Sequence, residues 1–401
     1  MAKNRRKPLD PVDVQLTIEE MAFMGEGLAR HGDDLVYVAN TIQGEEVIAT
    51  LRWKSRRYLE AEVKEILKPS PHRVTPPCRY YGECTGCQWQ HIAYPHQLEL
   101  KAKLVADQLR RVGGFTEAIV RPTIGCEEPW AYRNHARFTV RRESGQLGFV
   151  HRSRHRFVRI DHCLIMEAGV NRLLGQLQER CGETTQLSIR YGVKTDSFLI
   201  QPTLKSDKVT VPTGQKHYEE EMLGRRFRVA SPSFFQVNVR QAERLIGVVR
   251  EALSLTGRET LVDAYAGVGT FAALLAPSAR QVIAIEESSS AVADARLNIE
   301  GLANVTLAEG KTEEVMAQMA ERPDAVILDP PRTGCHKTTL DSLVRLQPPR
   351  VAYVSCDPES LARDLKVLCA SGYELIEVQP VDMFPHTYHI EAVANLRWRG
   401  G

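Results

Sequence analysis

With 401 residues, 43% hydrophobic and 25% charged, the chain is long enough for two or three packed domains, and it contains no apolar run able to span a bilayer. A formal net charge of +2 excludes capture of a polyanion by bulk charge, so any nucleic-acid surface must be local. Nine cysteines in a chain whose N-terminus lacks a secretory apolar stretch point to a cytoplasmic protein that uses thiols for metal binding or catalysis, not for a disulfide framework.

Residues 1–8 read as a disordered basic tail. Short strands with turn residues between them follow at 12–16, 27–31, 34–38, 46–53 and 58–66, punctuated by Gly25, Gly27, Gly32-Asp33-Asp34 and Gln43-Gly44. Five strands in that length predict a small OB-like β-barrel over 9–68. Lys54, Arg56 and Arg57 near its end read equally as a solvated loop or a phosphate-contacting surface.

Cys78, Cys84 and Cys87 come next, the last two as Cys84-Thr85-Gly86-Cys87, and Cys163 stands far downstream. Two thiolates at C-x-x-C spacing converge on one centre, and a remote fourth can close the shell. Tetrahedral zinc and a four-cysteine iron–sulfur cluster both fit. Cys126, Cys181, Cys335 and Cys369 have no such spacing and read as core.

Apolar residues at helical spacing predict a helix over 90–112, stopped by Gly113-Gly114. A hairpin is expected at 136–142 and 147–152, with Arg137, Thr139 and Arg141 on one face and Phe138 and Val140 on the other. Between Trp130 and Ile160 stand Arg133, Arg137, Arg141, Arg142, Arg152, Arg154, Arg156 and Arg159 against the single acid Glu143. With His135, His151 and His155 nearby, that face suits a phosphate-rich ligand, or else is a solvated polar surface. A helix at 166–180 and strands near 187–191 and 197–201 complete a central α+β domain over 69–230.

From residue 231 to 401 the pattern is a Rossmann-like α/β domain. Phe234-Phe235-Gln236-Val237-Asn238 precedes a helix at 241–253. An apolar strand then runs into Asp263-Ala264-Tyr265-Ala266-Gly267-Val268-Gly269-Thr270. Glycines at that point let a ligand approach the backbone, and the absent third glycine and Lys-Ser/Thr exclude a P-loop and disfavour a pyrophosphate fingerprint. The next strand ends in Glu286, placed to accept ribose hydroxyls. S-adenosylmethionine suits this loose turn better than NAD. Strands at 304–307 and 324–328 follow, the latter entering Asp329-Pro330-Pro331-Arg332-Thr333-Gly334. The strand 351–354 delivers Cys356 at its exit, a candidate nucleophile or a packed core thiol. Glu391 opens the last strand, either a buried general base with a raised pKa or a surface acid on an edge strand.

Taken together, the Phe-x-Gln-x-Asn, Asp-x-x-x-Gly-x-Gly, Asp-Pro-Pro-Arg-x-Gly, Val-Ser-Cys-Asp-Pro and His-Ile-Glu-Ala-Val motifs resemble the RNA (uracil-5-)-methyltransferase family over nearly the whole chain. The segment 9–68, with Gly25-Glu26-Gly27-Leu28-Ala29-Arg30, Val36-Tyr37-Val38 and Gly44-Glu45-Glu46-Val47, resembles a TRAM domain, an RNA-binding barrel. The resemblance implies a [4Fe-4S] cluster on Cys78, Cys84, Cys87 and Cys163. It implies S-adenosylmethionine and active-site contacts at Gln236, Tyr265, Gly267, Gly269, Thr270, Glu286 and Asp329, a Cys356 nucleophile and a Glu391 base. It further implies methylation of uridine carbon 5 in RNA, with 23S ribosomal RNA favoured by the barrel, by a monomer with no membrane partner. Thr85 departs from a usual glycine and Asp357 from a frequent asparagine, and Tyr265 and Thr270 fall at variable positions. The competing readings are a transfer-RNA methyltransferase, a catalytically inactive RNA-binding protein of this fold, and a zinc-dependent methyltransferase acting on nitrogen.

Overall fold

The computed structural model describes residues 7–151 and 156–400. The chain forms two compact units. One comprises the residues up to Leu100 with Phe149–Val158 and Phe384–Tyr388; the other comprises Lys101–Gly148, Arg159–Met383 and the C-terminal stretch from His389.

In the first unit β1 (Lys7–Thr17), β2 (Glu20–Met21), β3 (Gly27–His31), β4 (Asp34–Ala39), β5 (Glu46–Lys54) and β6 (Tyr58–Lys68) form one sheet of order β1-β5-β6-β4-β3-β2. Alternation turns Val36 and Val38, Val47, Ala49 and Leu51, and Leu59 and Ala61 into a shared core. All five expected strands are present. Lys7 and Pro8, assigned to the tail by sequence, instead belong to β1 opposite Lys54 and Trp53, with a register shift before Val12. Pro8 and Pro11 sit on the sheet's outer strand, where a missing N–H is tolerated. The rest of the expected tail, residues 1–6, lies outside the described residues. Gly25 adopts φ +87 and accepts the Trp89 indole N–H at 2.9 Å. A Cβ there would stand 2.9 Å from that nitrogen and from Tyr388. The segment Phe384–Tyr388 is held here by the N–H groups of Gln88 and Trp89, which donate to the His386 carbonyl at 3.1 and 2.9 Å.

Helix α1 (Tyr94–Gln108) starts four residues later than the spacing predicts, with Pro95 in its first turn, and continues as a π turn at Leu109–Gly113. Gly114, in the left-handed region, ends it. Further along, β7 (His135–Arg141), β8 (Gln146–Val150), β9 (Phe157–Arg159), β10 (Gln186–Tyr191) and β11 (Phe198–Gln201) pair in the order β11-β10-β7-β8-β9, with α2 (Ala168–Leu177) after β9. Ala136, Phe138 and Val140 are buried while Arg137 and Arg141 are exposed, as the alternation requires. Arg152, Arg154 and His155 lie outside the described residues. A hairpin of β12 (His217–Met222) and β13 (Arg225–Ala230) precedes the α/β layer.

That layer runs α3 (Val239–Leu253), β14 (Thr260–Asp263), α4 (Thr270–Leu275), β15 (Gln281–Glu286), α5 (Ser289–Asn298), β16 (Val305–Glu309), α6 (Thr312–Gln318), β17 (Ala325–Leu328), α7 (Lys337–Leu346), β18 (Arg350–Ser355), α8 (Pro358–Ala370), β19 (Tyr373–Val381) and β20 (Glu391–Trp398). The sheet order is β16-β15-β14-β17-β18-β20-β19. The first five are parallel, and β20 is antiparallel to both of its neighbours. All four residues of β17 are buried, as expected of a strand covered on both faces. The order reverses between β14 and β17, the switch point outside which ligands bind in open sheets.

Lys101 and Asp382, both fully buried, form an ion pair at 2.5 Å. Removing one partner strands a charge. Lys101→Met is expected to destabilise the protein by roughly 3–5 kcal/mol, and Lys101→Met with Asp382→Leu to recover much of that loss in denaturant melts.

Candidate active site

Parallel β14, β15, β17 and β18 bring their carboxyl ends to one edge of the sheet, and antiparallel β20 brings its amino end to the same edge. Ser355 pairs with Ala392 across β18 and β20. One step further along each strand stand Cys356 and Glu391. Beyond Cys356, Asp357 caps α8 by accepting the Ser360 N–H at 2.8 Å, with Pro358 in the first turn. The carboxylate at this position is therefore structurally employed.

The site is rich in acid. Burial pushes the half-exposed Cys356 thiol up to about 12; the charges of Glu391, Asp329 and Asp357 add to this, and that of Arg332 opposes it. Glu391, 7% exposed, is held well above the usual carboxylate range by burial and then by Asp329, again against Arg332. It is not the surface acid of an edge strand, because β20 lies between β18 and β19. Burial pushes Asp329 up to about 7. Asp263 also rises to about 7, through burial and the fields of Asp329 and Glu286, although its Oδ2 accepts the Ala272 N–H at 2.9 Å. Its Oδ1 is buried with no hydrogen-bond partner among the described residues. Asp329 thus acts on the Cys356–Glu391 side and the Asp263 side alike. His389, two residues before Glu391, is lowered to about 4 by burial and by Arg332, Lys101 and Arg133, and is neutral at neutral pH.

The glycine turn has the shape of a cradle. Gly267 adopts φ +55, and a Cβ there would meet nothing within 4 Å. Gly269 (φ +83) instead clears Ile299 and Ala295 so that α4 packs against α5. Glu286 braces the turn, accepting the Gly267 N–H at 2.8 Å and the Ser288 N–H at 2.7 Å. This open backbone, the buried Asp263 oxygen and the strand-end acid fit an adenosine-bearing cofactor. Thr270 is the first residue of α4. The Tyr265 hydroxyl is directed towards Cys335 and Thr339. Gln236 lies in the loop entering α3, where its carbonyl accepts the Asn134 amide at 3.2 Å. Arg332, Asp263 and His389 share the site's field but stood out less in sequence. All three lie inside recognised motifs, as the strand-end acid, the fourth residue of Asp-Pro-Pro-Arg and the first of His-Ile-Glu-Ala-Val.

The basic face is narrower than the arginine count implies. Arg137, Arg141 and Arg142 are exposed, whereas Arg159 pairs with Asp161 at 2.7 Å and Arg156 with Glu83 at 2.7 Å. His135 is driven down to about 3 by burial and by Arg190, Arg133 and Arg137, so it carries no charge for a phosphate. In the first unit Lys54 pairs with Asp34 at 3.1 Å, while Arg56 and Arg57 are exposed.

Cys78, Cys84 and Cys87 belong to the first unit and Cys163 to the second, all partly exposed. Among the described residues no three His, Cys, Asp or Glu side chains form a group able to hold a metal ion. Thiols suit an iron–sulfur cluster as donors, but no such group among the described residues supports the expected cluster. Among the described residues no helix is long and apolar enough to cross a membrane.

Comparison with known proteins adds to this geometry. The family model described as tRNA (uracil-5-)-methyltransferase matches residues 193–398. An uncharacterized RNA methyltransferase of Thermosynechococcus vestitus is 34% identical over 437 aligned residues, covering 96% of this chain and 97% of that protein. Another, from Halalkalibacterium halodurans, is 34% identical over 451, covering 98% of each. The solved structure of Pyrococcus abyssi tRNA (uracil-54, C5)-methyltransferase with S-adenosyl-L-homocysteine matches with a TM-score of 0.75 at 24% identity, covering 96% of this chain and 100% of that one, which shows a common fold.

The opposed fields on Cys356 are separable. Asp329→Asn removes a charge that raises the thiol pKa, so iodoacetamide labelling of Cys356 near neutral pH is expected to accelerate a few-fold, whereas Arg332→Gln slows it; peptide mass spectrometry reads both.

Proposed function

The chain belongs to the RNA (uracil-5-)-methyltransferase family and is an S-adenosylmethionine-dependent RNA methyltransferase, and from that premise we propose that it methylates carbon 5 of a uridine in 23S ribosomal RNA through a covalent Cys356 adduct. The observation that carries the reading is the meeting of Cys356 with a buried Glu391 one step beyond the Ser355–Ala392 pair, at the edge where the glycine turn opens.

Carbon 5 of uracil is too weak a nucleophile to take a methyl group unaided. The Cys356 thiolate adds to carbon 6, forming the S–C6 bond and moving the C5–C6 π pair into an enolate on O4, which divides one hard step into easier ones. S-adenosylmethionine, when bound, supplies an electrophilic methyl on its sulfonium. Gln236, Tyr265, Gly267, Gly269, Thr270, Glu286 and Asp329 are the residues that would hold it, Tyr265 by its ring because its hydroxyl is turned to Cys335 and Thr339. After carbon 5 has gained the methyl, Glu391 takes the carbon 5 proton. The released pair restores the C5–C6 bond and expels the thiolate. A carboxylate whose proton affinity is raised by burial is a stronger base than an exposed one once ionised. Arg332 favours the thiolate by its charge.

The target base must leave its stack to reach the thiol, and RNA is read in unpaired loops. The exposed arginines of the β7–β8 hairpin and the N-terminal sheet are read as the RNA grip, so that 9–68 is a TRAM-like barrel, 69–230 the central RNA-binding domain and 231–401 the methyltransferase domain. We place the protein in the cytoplasm as a monomer. The four cysteines are read as [4Fe-4S] ligands on the family resemblance alone, and no chemical step passes through them. Transfer RNA is the second reading. The Pyrococcus abyssi protein is named for that substrate, and its fold covers 96% of this chain, so the N-terminal sheet does not separate the two classes.

With 5-fluorouridine-containing 23S ribosomal RNA and S-adenosylmethionine, a denaturation-resistant adduct is expected that Cys356→Ala abolishes, while Glu391→Gln lets an adduct accumulate on unmodified RNA. An adduct on transfer RNA alone would move the substrate to the second reading, and none on either RNA would sink the mechanism. Iron and sulfide in near-equal amounts, lost in Cys84→Ser, would establish the cluster; zinc or no metal would refute it.

A further inference from the structure

We infer that Asp364, a buried carboxylate outside the reacting set, is the positioning residue that bolts the loop from Asp329 to Cys335 onto the strand that delivers Cys356. The inference rests on the reading of Cys356 as nucleophile.

Asp364 lies on α8 and is 1% exposed. Its Oδ2 accepts hydrogen bonds from two different elements. One is the Tyr353 hydroxyl at 2.6 Å, on β18 three residues before Cys356. The other is the Cys335 N–H at 2.8 Å, at the far end of the loop that follows β17. Its Oδ1 accepts from the Arg363 guanidinium, which is itself tied to the loop by donating to the Thr333 carbonyl at 2.8 Å. Gly334, between those anchors, takes φ +78, and a Cβ there would fall 2.5 Å from Asp364 Oδ2. The loop therefore closes directly onto this carboxylate, and only glycine permits the approach. A carboxylate accepting several well-formed hydrogen bonds in a buried place is a rigid tie, because each donor would otherwise be left unsatisfied.

What the tie positions is Arg332. That residue is exposed, and it stands between β17, which fixes the start of the loop, and the Thr333–Cys335 anchor. Its charge acts on both Cys356 and Glu391. The groups facing Cys356 are Glu391 from β20, Asp329 and Arg332 from the loop, and Asp357 from its own segment. Three are acids, so Arg332 is the group in this set whose displacement removes support from the thiolate. Releasing the anchor frees that end of the loop and weakens the thiolate at a distance from the reaction.

The test compares wild type, Asp364→Asn and Arg363→Ala in adduct formation on 5-fluorouridine RNA across pH. The Asp364→Asn rate at neutral pH is expected to fall by about tenfold or more, with its acid limb displaced to higher pH. Arg363→Ala, a change on a half-exposed side chain, is expected to show the same displacement more weakly. S-adenosylmethionine affinity, to which the released end of the loop contributes none of the named contacts, should stay within about twofold of wild type. Variants that match the wild type in rate and limb overturn the inference. So does a loss of rate with an unmoved limb, which would mark general damage. If Asp364→Asn does not fold, Arg363→Ala decides alone by the position of its limb. Failure of the nucleophile reading has a different signature, since the wild type would then form no adduct.

Discussion

The site depends on the register of one antiparallel strand. Cys356 follows a parallel strand and Glu391 opens one that runs the other way, so the two can face the same edge only because β20 is inserted between β18 and β19 with Ser355 opposite Ala392. A slip of one residue would turn Glu391 to the opposite face of the sheet. The register is held by burial on both sides: Val351, Tyr353, Ala392, Ala394 and Leu396 share a single core. The meeting of Cys356 and Glu391 is therefore set by the hydrophobic effect acting on the buried residues of β18 and β20.

The second constraint is the crowding of acids at that edge. Asp263, Asp329 and Glu391 come from three strand ends, and burial holds all three above the ordinary carboxylate range. Asp329 lies electrostatically between Asp263 on the glycine side and Glu391 on the thiol side. The protonation of one half consequently bears on the other. A cofactor carrying positive charge suits such a place better than one carrying pyrophosphate, which agrees with the missing third glycine of the turn.

Much of this was legible in sequence. Parallel strands that end in an acid, a glycine turn or a thiol announce themselves because an apolar run stops abruptly at a polar residue. What was not legible has physical reasons. β19 carries Pro380 and mixed polarity, tolerable on the outer strand of a sheet but unlike a buried one. β12 reads as charged, yet Glu220 within it is fully buried, its carboxylate accepting the backbone N–H groups of Val193 and Glu221. The burial of Glu391 depended on which strand β20 neighbours, a long-range fact. Phe384–Tyr388 looked like an approach to the last strand but belongs to the first unit. The expected cluster shows the converse: cysteine spacing was the plainest signal in the first hundred residues, and the structure gathers no metal-holding group among the described residues to match it.

A thiol held near 12 looks ill suited to a nucleophile, and the same feature explains how the site can rest. Thiolates with low pKa values are the ones that oxidise and alkylate freely in solution. Here burial and three acidic neighbours keep Cys356 protonated, with Arg332 the opposing charge. Two of the acids raising the thiol, Glu391 and Asp329, are themselves raised by burial, so a proton on either removes its field from Cys356. Fewer like charges then surround the sulfur. On the proposed reading, the reactivity of the thiol is therefore governed by the protonation of its buried neighbours rather than by a permanently ionised sulfur. That coupling depends on the close register of β18 and β20.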